Sequence, residues 1–163
     1  MASPTLEYQP LLPVGFHRMA VADLRALCVQ RFPLSATRAG IMTGLEHVLQ
    51  ELHGKGIVGE VWIDGSFLTE KIDLVDVDGS ICIPFAFWQS ATLEQRDTIN
   101  RISPANLKAA YHCDLYAWIE YPQGHADYAR GQWLRAYWHR QWGFSRSEEM
   151  KGIAVVVLPL GGS

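Results

Sequence analysis

Long apolar runs are missing from this 163-residue chain: none approaches the ~20 residues needed to span a bilayer. A large excess of one charge is missing too, since 14 Lys+Arg stand against 17 Asp+Glu for a formal net charge of −3. With 48% apolar residues, that balance excludes a disordered chain. Residues 1–13 show no basic start followed by an apolar stretch, so no signal peptide and a cytoplasmic location are expected. Paired cysteines are also lacking. Cys28, Cys82 and Cys113 form no C-x-x-C and no Cys/His set at zinc spacing, so buried thiols in a reducing compartment are expected. The histidines include no H-E-x-x-H. No G-x-S-x-G elbow surrounds Ser66, which argues against a Ser66–His112 hydrolase. Repeats, low-complexity stretches and long linkers are absent, and one domain is the default at this length.

What is present is unevenly spread. Between Val58 and Ser80 lie six acids (Glu60, Asp64, Glu70, Asp73, Asp76, Asp78) and one base, Lys71. From Arg130 onward the balance reverses, with Arg130, Arg135, Arg140, Arg146 and Lys151 against Glu148 and Glu149. An acidic centre either solvates a surface or holds a cation, and spacing decides between them.

The first 20 residues carry Pro4, Pro10, Pro13 and Gly15 and read as an extended arm, leaving residues 21–163 as the domain. Val21, Leu24, Leu27 and Cys28 share one helical stripe before Pro33. Ser35 stands as an N-cap for a helix over 35–53, whose Ile41, Leu45, Val48, Leu49 and Leu52 repeat at helical spacing. Strands are predicted over 58–64, 74–85, 113–121 and 153–158, and helices over 92–101, 104–111 and 126–142. In the second strand Val75, Val77, Gly79, Ile81 and Ile83 face one way, and Asp76, Asp78, Ser80 and Cys82 the other. This order predicts a single α/β (α+β) domain built on a mixed β-sheet flanked by helices.

The stretch that carries chemistry runs from Trp62 to Asp78. Asp76 and Asp78 lie two apart on a strand, so both carboxylates leave one face, roughly 6–7 Å apart. Such a pair repels unless a cation offsets it, and Mg²⁺ favours one or two carboxylates with phosphate oxygens and water. Gly65-Ser66 sits in the preceding turn, where glycine allows close backbone approach and the N–H groups and hydroxyl can donate to phosphate. A phosphate cradle beside paired carboxylates implies metal-assisted phosphoryl or nucleotidyl transfer. Asp114, opening a later strand, is the natural third carboxylate, although it could equally cap that strand or pair with an arginine. Lys71 and Lys151 are candidate phosphate contacts, with a solvated loop lysine the plainer role for Lys71. The basic third, interleaved with Trp133, Trp138 and Trp142, suits RNA phosphates and bases, or else the tryptophans are core and the arginines their rim. His125, after Pro122 and Gly124, is a lesser candidate.

Gly65-Ser66, nine intervening residues, Asp76-Val-Asp78 and a downstream Asp114 resemble the DNA polymerase β-like nucleotidyltransferase superfamily. Over about residues 10–160 the chain resembles small stand-alone bacterial and phage proteins of that fold. The likeness rests on Phe32-Pro33-Leu34-Ser35, Glu60-Val-Trp-Ile-Asp-Gly-Ser-Phe67, Asp76-Val-Asp78, Tyr121-Pro-x-Gly-His125, Tyr137-Trp138 and Lys151-Gly152-Ile153. The resemblance implies Mg²⁺- or Mn²⁺-dependent transfer of a nucleoside monophosphate from a nucleoside triphosphate (NTP). The residues matching Gly65 and Ser66 would bind triphosphate, and those matching Asp76, Asp78 and Asp114 would bind metal. Two departures stand out. Gly79 follows the Asp pair where an apolar residue is usual, and only 49 residues follow Asp114, too few for the helical domain of larger members. The missing part would come from a protein partner or a homodimer. An alternative is a catalytically weak or inactive subunit of a toxin–antitoxin or phage-defence system.

Overall fold

In the computed structural model, which describes residues 7–161, five strands form one mixed sheet in the order β1-β5-β2-β3-β4. They are β1 (Gly15–Arg18), β2 (Gly59–Asp64), β3 (Val77–Pro84), β4 (Cys113–Glu120) and β5 (Gly152–Leu158). β2 pairs antiparallel with both β3 and β5, while β3–β4 and β1–β5 are parallel. Helices cover both faces, the mixed α/β layering that the element order predicts. The helices are α1 (Val21–Arg25), α2 (Arg38–Gly54), α3 (Phe85–Ser90), α4 (Leu93–Asn100), α5 (Pro104–Tyr111) and α6 (Tyr128–Gly143). Among the described residues no helix is long and apolar enough to cross a membrane.

Strand alternation sorts the two faces. Val61, Ile63, Ile81, Ile83, Leu115, Ala154 and Val156 turn toward α2, whose Ile41, Leu45, Val48, Leu49 and Leu52 complete the main core. Trp62, Cys82, Trp118, Ile153 and Val155 turn the other way, onto Trp138 and Trp142 of α6. Both faces of the sheet are therefore dry over most of its area. Polar side chains that point into either face need partners or a function.

Several elements depart from the sequence expectation. Part of the extended arm joins the sheet as edge strand β1; residues 1–6 lie outside the described range. The helical stripe after Val21 is α1 followed by a π-helical turn over Ala26–Gln30. Strand β3 begins at Val77 rather than Leu74, leaving Val75 exposed. The preceding residues are tied to α2 instead: Leu74 donates its N–H to Thr37 Oγ1, and Asp73 accepts from Ser35 Oγ, Ala36 N–H and Thr37 Oγ1. Ser35 Oγ in turn accepts from the N–H groups of Thr37 and Arg38, so cap and acid together serve the free N-terminus of α2. Helix α3 has no sequence expectation behind it.

Helix α5 matters because it leads into the site, and Gly44 fixes its position. A Cβ at Gly44 would run into the Tyr111 carbonyl at the end of α5. His112 then takes a left-handed conformation (φ 56°) that stops α5 and turns the chain into β4. Gly44→Ala is expected to push α5 outward and destabilise the fold by ~1–3 kcal/mol, read as a lower urea midpoint. An unchanged midpoint would show that the α2–α5 contact is not close.

Candidate functional site

Register places three aspartates side by side. Asp64, the last residue of β2, pairs with Asp78 of β3, and Asp78 pairs with Asp114 of β4. All three belong to the α6 face, so the sheet carries a row of carboxylates across three neighbouring strands. Asp76 stands two residues before Asp78, just ahead of β3. Oxygens of Asp76, Asp78 and Asp114 come within 4.8 Å of one another. The structure thus brings together the three acids expected from spacing, and adds Asp64.

Two lysines flank the row. Lys151, just before β5, places Nζ 3.2 Å from Asp64 Oδ1, and the Asp64 side chain is wholly buried. The Lys151 N–H donates to the Gly143 carbonyl, which anchors the lysine between α6 and β5. Lys108 of α5 places Nζ 3.0 Å from Asp76 Oδ2 and 3.8 Å from Asp114 Oδ2. Four carboxylates therefore meet two ammonium groups. The imbalance appears in their proton affinities. Burial pushes Asp64 up to about 7 against the partial relief of Lys151. Burial, then the charges of Asp76 and Asp114, push Asp78 up to about 7. Asp76 above all holds Lys108 above the ordinary lysine range. Asp114 Oδ1 is buried with no hydrogen-bond partner among the described residues.

Gly65 opens the turn that follows β2, with φ at 77°, a conformation that favours glycine. A Cβ there would overlap the Asp78 carboxylate, so the turn lies directly against the acid row. Residues Gly65–Leu68 continue as a short 3₁₀ helix. The Ser66 carbonyl accepts from Thr69 N–H and Thr69 Oγ1. The wholly buried Arg38 organises the rest of the loop, donating to the carbonyls of Cys28, Phe67, Thr69 and Lys71 at 2.6–2.9 Å. Lys71 is not drawn to the acids: its Nζ lies over the Tyr8 ring, 6.0 Å from the centroid.

Asp64, Lys108 and Arg38 are the residues that spacing did not single out as functional. Asp64 stands next to Gly65-Ser66 in the sequence, and that adjacency was the available clue. Tyr116 is a fourth: two residues beyond Asp114 on the same face, its hydroxyl is held above the ordinary range by burial and then by Asp114. His125 lies elsewhere. It packs on Phe85 and Tyr121 at the far ends of β3 and β4, and its ring accepts from Asp127 N–H.

The acid row, the glycine turn and the two lysines come from segments spread from the end of β2 to the start of β5. No curated protein and no solved structure matches this chain. One family model spans residues 4–157, covering every residue of the site, and the chain belongs to that family, the family of unknown function DUF6932.

Proposed function

We propose that this protein is a single-domain, metal-dependent nucleotidyltransferase of the DNA polymerase β-like type. It would move a nucleoside monophosphate from an NTP to a hydroxyl or phosphate acceptor. The observation that carries this reading is the convergence of Asp76, Asp78 and Asp114 beside the Gly65-Ser66 turn. An all-carboxylate donor set favours Mg²⁺ or Mn²⁺ over softer metals, and the unpartnered Asp114 Oδ1 fits a ligand atom. When bound, the metal would neutralise phosphate charge and lower the pKa of the attacking hydroxyl. Gly65 N–H and Ser66 Oγ would donate to triphosphate oxygens, and Asp114 would take the acceptor's proton. The acceptor oxygen bonds to the α-phosphorus as the bond to pyrophosphate breaks.

Lys108 favours a second reading, a catalytically weak or inactive subunit that binds a partner in a toxin–antitoxin or phage-defence system. Its ammonium already supplies a cation to Asp76 and Asp114. Mn²⁺ titration by electron paramagnetic resonance, alongside transfer of label from α-³²P NTPs, separates the two. The transferase reading expects Mn²⁺ binding by the wild type that Asp114→Asn weakens at least tenfold, the effect of losing ~1.4 kcal/mol of ligand energy. Binding only after Lys108→Gln, with no transfer, supports the inactive subunit.

A further inference from the structure

The aromatic stripe of α6 splits into two rows. Trp138 and Trp142 are buried against the sheet, as a core reading requires. Trp133 and Tyr137 are not: they are 64% and 44% exposed. Their rings are stacked, with centroids 5.4 Å apart and planes 15° apart. They stand four positions apart, so they share one face of the helix. Arg130 lies one turn earlier on that face and is exposed. Its neighbours Arg135 and Arg140 pair with Glu120 and Glu148, whereas Arg130 forms no ion pair among the described residues.

The other end of this row meets the acids. Tyr137 stands edge-on to Trp138 (4.9 Å, 80°), and Trp138 lies against Tyr116 (5.0 Å, 30°). Tyr116 is itself 39% exposed and sits two residues from Asp114 on the same face of β4. Large aromatic surface left in water beside a polar site marks a contact surface rather than a core defect. Flat stacked rings beside an unpaired arginine match the chemistry of bases and phosphates, because every base has a π face whatever its identity.

We infer that Arg130, Trp133, Tyr137 and Tyr116 form a stacking track for a single-stranded nucleic acid that ends at Asp114. The track rests on the transferase reading for its direction toward the acids, and names the acceptor as a nucleic-acid strand. Binding to the track needs no metal. Bases stack on Trp133–Tyr137, Arg130 meets a phosphate, and the strand's terminal hydroxyl reaches the acid row past Tyr116.

Fluorescein-labelled A₆ and U₆ ribonucleotides, titrated with the full chain in EDTA and followed by anisotropy, test this. Trp133→Ala and Tyr137→Ala are each expected to weaken binding roughly tenfold. Arg130→Gln should lower the salt slope by about one phosphate contact. Thermal melts of Trp133→Ala should match the wild type, because that ring is exposed. Unchanged affinity in both aromatic variants overturns the track. So does a wild-type dimer that Trp133→Ala dissociates in sedimentation, which would make the patch a contact between copies. Mn²⁺ binding on the same samples keeps the two ideas apart. Normal Mn²⁺ binding without oligonucleotide binding overturns the track alone. Oligonucleotide binding lost in the aromatic variants, without Mn²⁺ binding, supports the track and counts against the metal reading.

Discussion

On the proposed transferase reading, Asp78→Asn is expected to abolish divalent-cation binding and nucleotidyl transfer, yet to make the metal-free protein harder to unfold at pH 8. The two effects share one cause. Asp78 is the middle member of the acid row, paired in register with Asp64 on one side and Asp114 on the other. On the proposed reading a metal ligand is lost, and transfer should fall by about a thousandfold, the factor given by ~4 kcal/mol of transition-state stabilisation. As a half-buried, desolvated charge its loss is a relief. Its folded pKa of about 7 stands above the ordinary 3.8, so the folded state holds a proton that the unfolded chain has released. Stability therefore falls as pH rises between those two values and stays low above the upper one. Asp64 acts in the same direction. Asparagine carries no charge to bury, so Asp78→Asn should melt roughly 5 °C or more above the wild type at pH 8 in EDTA. Near pH 4 the two should melt together. Added Mn²⁺ should raise only the wild type. A melting gap of equal size at both pH values would sink the account of a strained, charged row.

Arg38→Met should cost more than ~3 kcal/mol of stability, although among the described residues no carboxylate pairs with this arginine. The guanidinium is fully buried, lies 3.8 Å from the centre of the Phe32 ring, and donates at 2.6–2.9 Å to four main-chain carbonyls. Methionine keeps much of the volume of the stem but leaves those carbonyls buried without donors. Three of the four belong to residues 67–71, so the loop after Gly65-Ser66 loosens first. Lysine does not rescue the defect, because one ammonium cannot reach acceptors that a planar fork spans. Urea unfolding measures the change. A loss under about 1 kcal/mol would show that the buried arginine does not organise this loop.

Four of the five strands and the long helices were legible because their apolar periods are strong. Leu45, Val48, Leu49 and Leu52 repeat at helical spacing, and Val77, Ile81 and Ile83 share one strand face; all seven are buried. Asp76 and Asp78 were legible as a pair for the same reason, and Asp114 by its place at the start of a strand. Asp64 was not singled out, because its position opposite Asp78 depends on hairpin register. The connection between β2 and β3 is too long for turn chemistry to set that register. Lys108 reaches the acids only because α5 ends where it does against Gly44, a long-range contact without a local pattern. Arg38 looks like a surface residue on an amphipathic helix until residues 28 and 67–71 close over it. Trp133 and Trp138 both belong to the tryptophan set that could be core, yet only Trp138 is buried, because α6 leans on the sheet along a narrow line.

The sheet order carries a consequence for how the molecule is made. β5 follows every other strand in the chain, yet it lies inside the sheet, between β1 and β2. While the ribosome is still producing α6, the earliest strand has no neighbour and β2 is a bare edge. At that stage Asp64 also lacks Lys151. Pairing of β5 between β1 and β2 therefore both closes the sheet and brings Lys151 to Asp64.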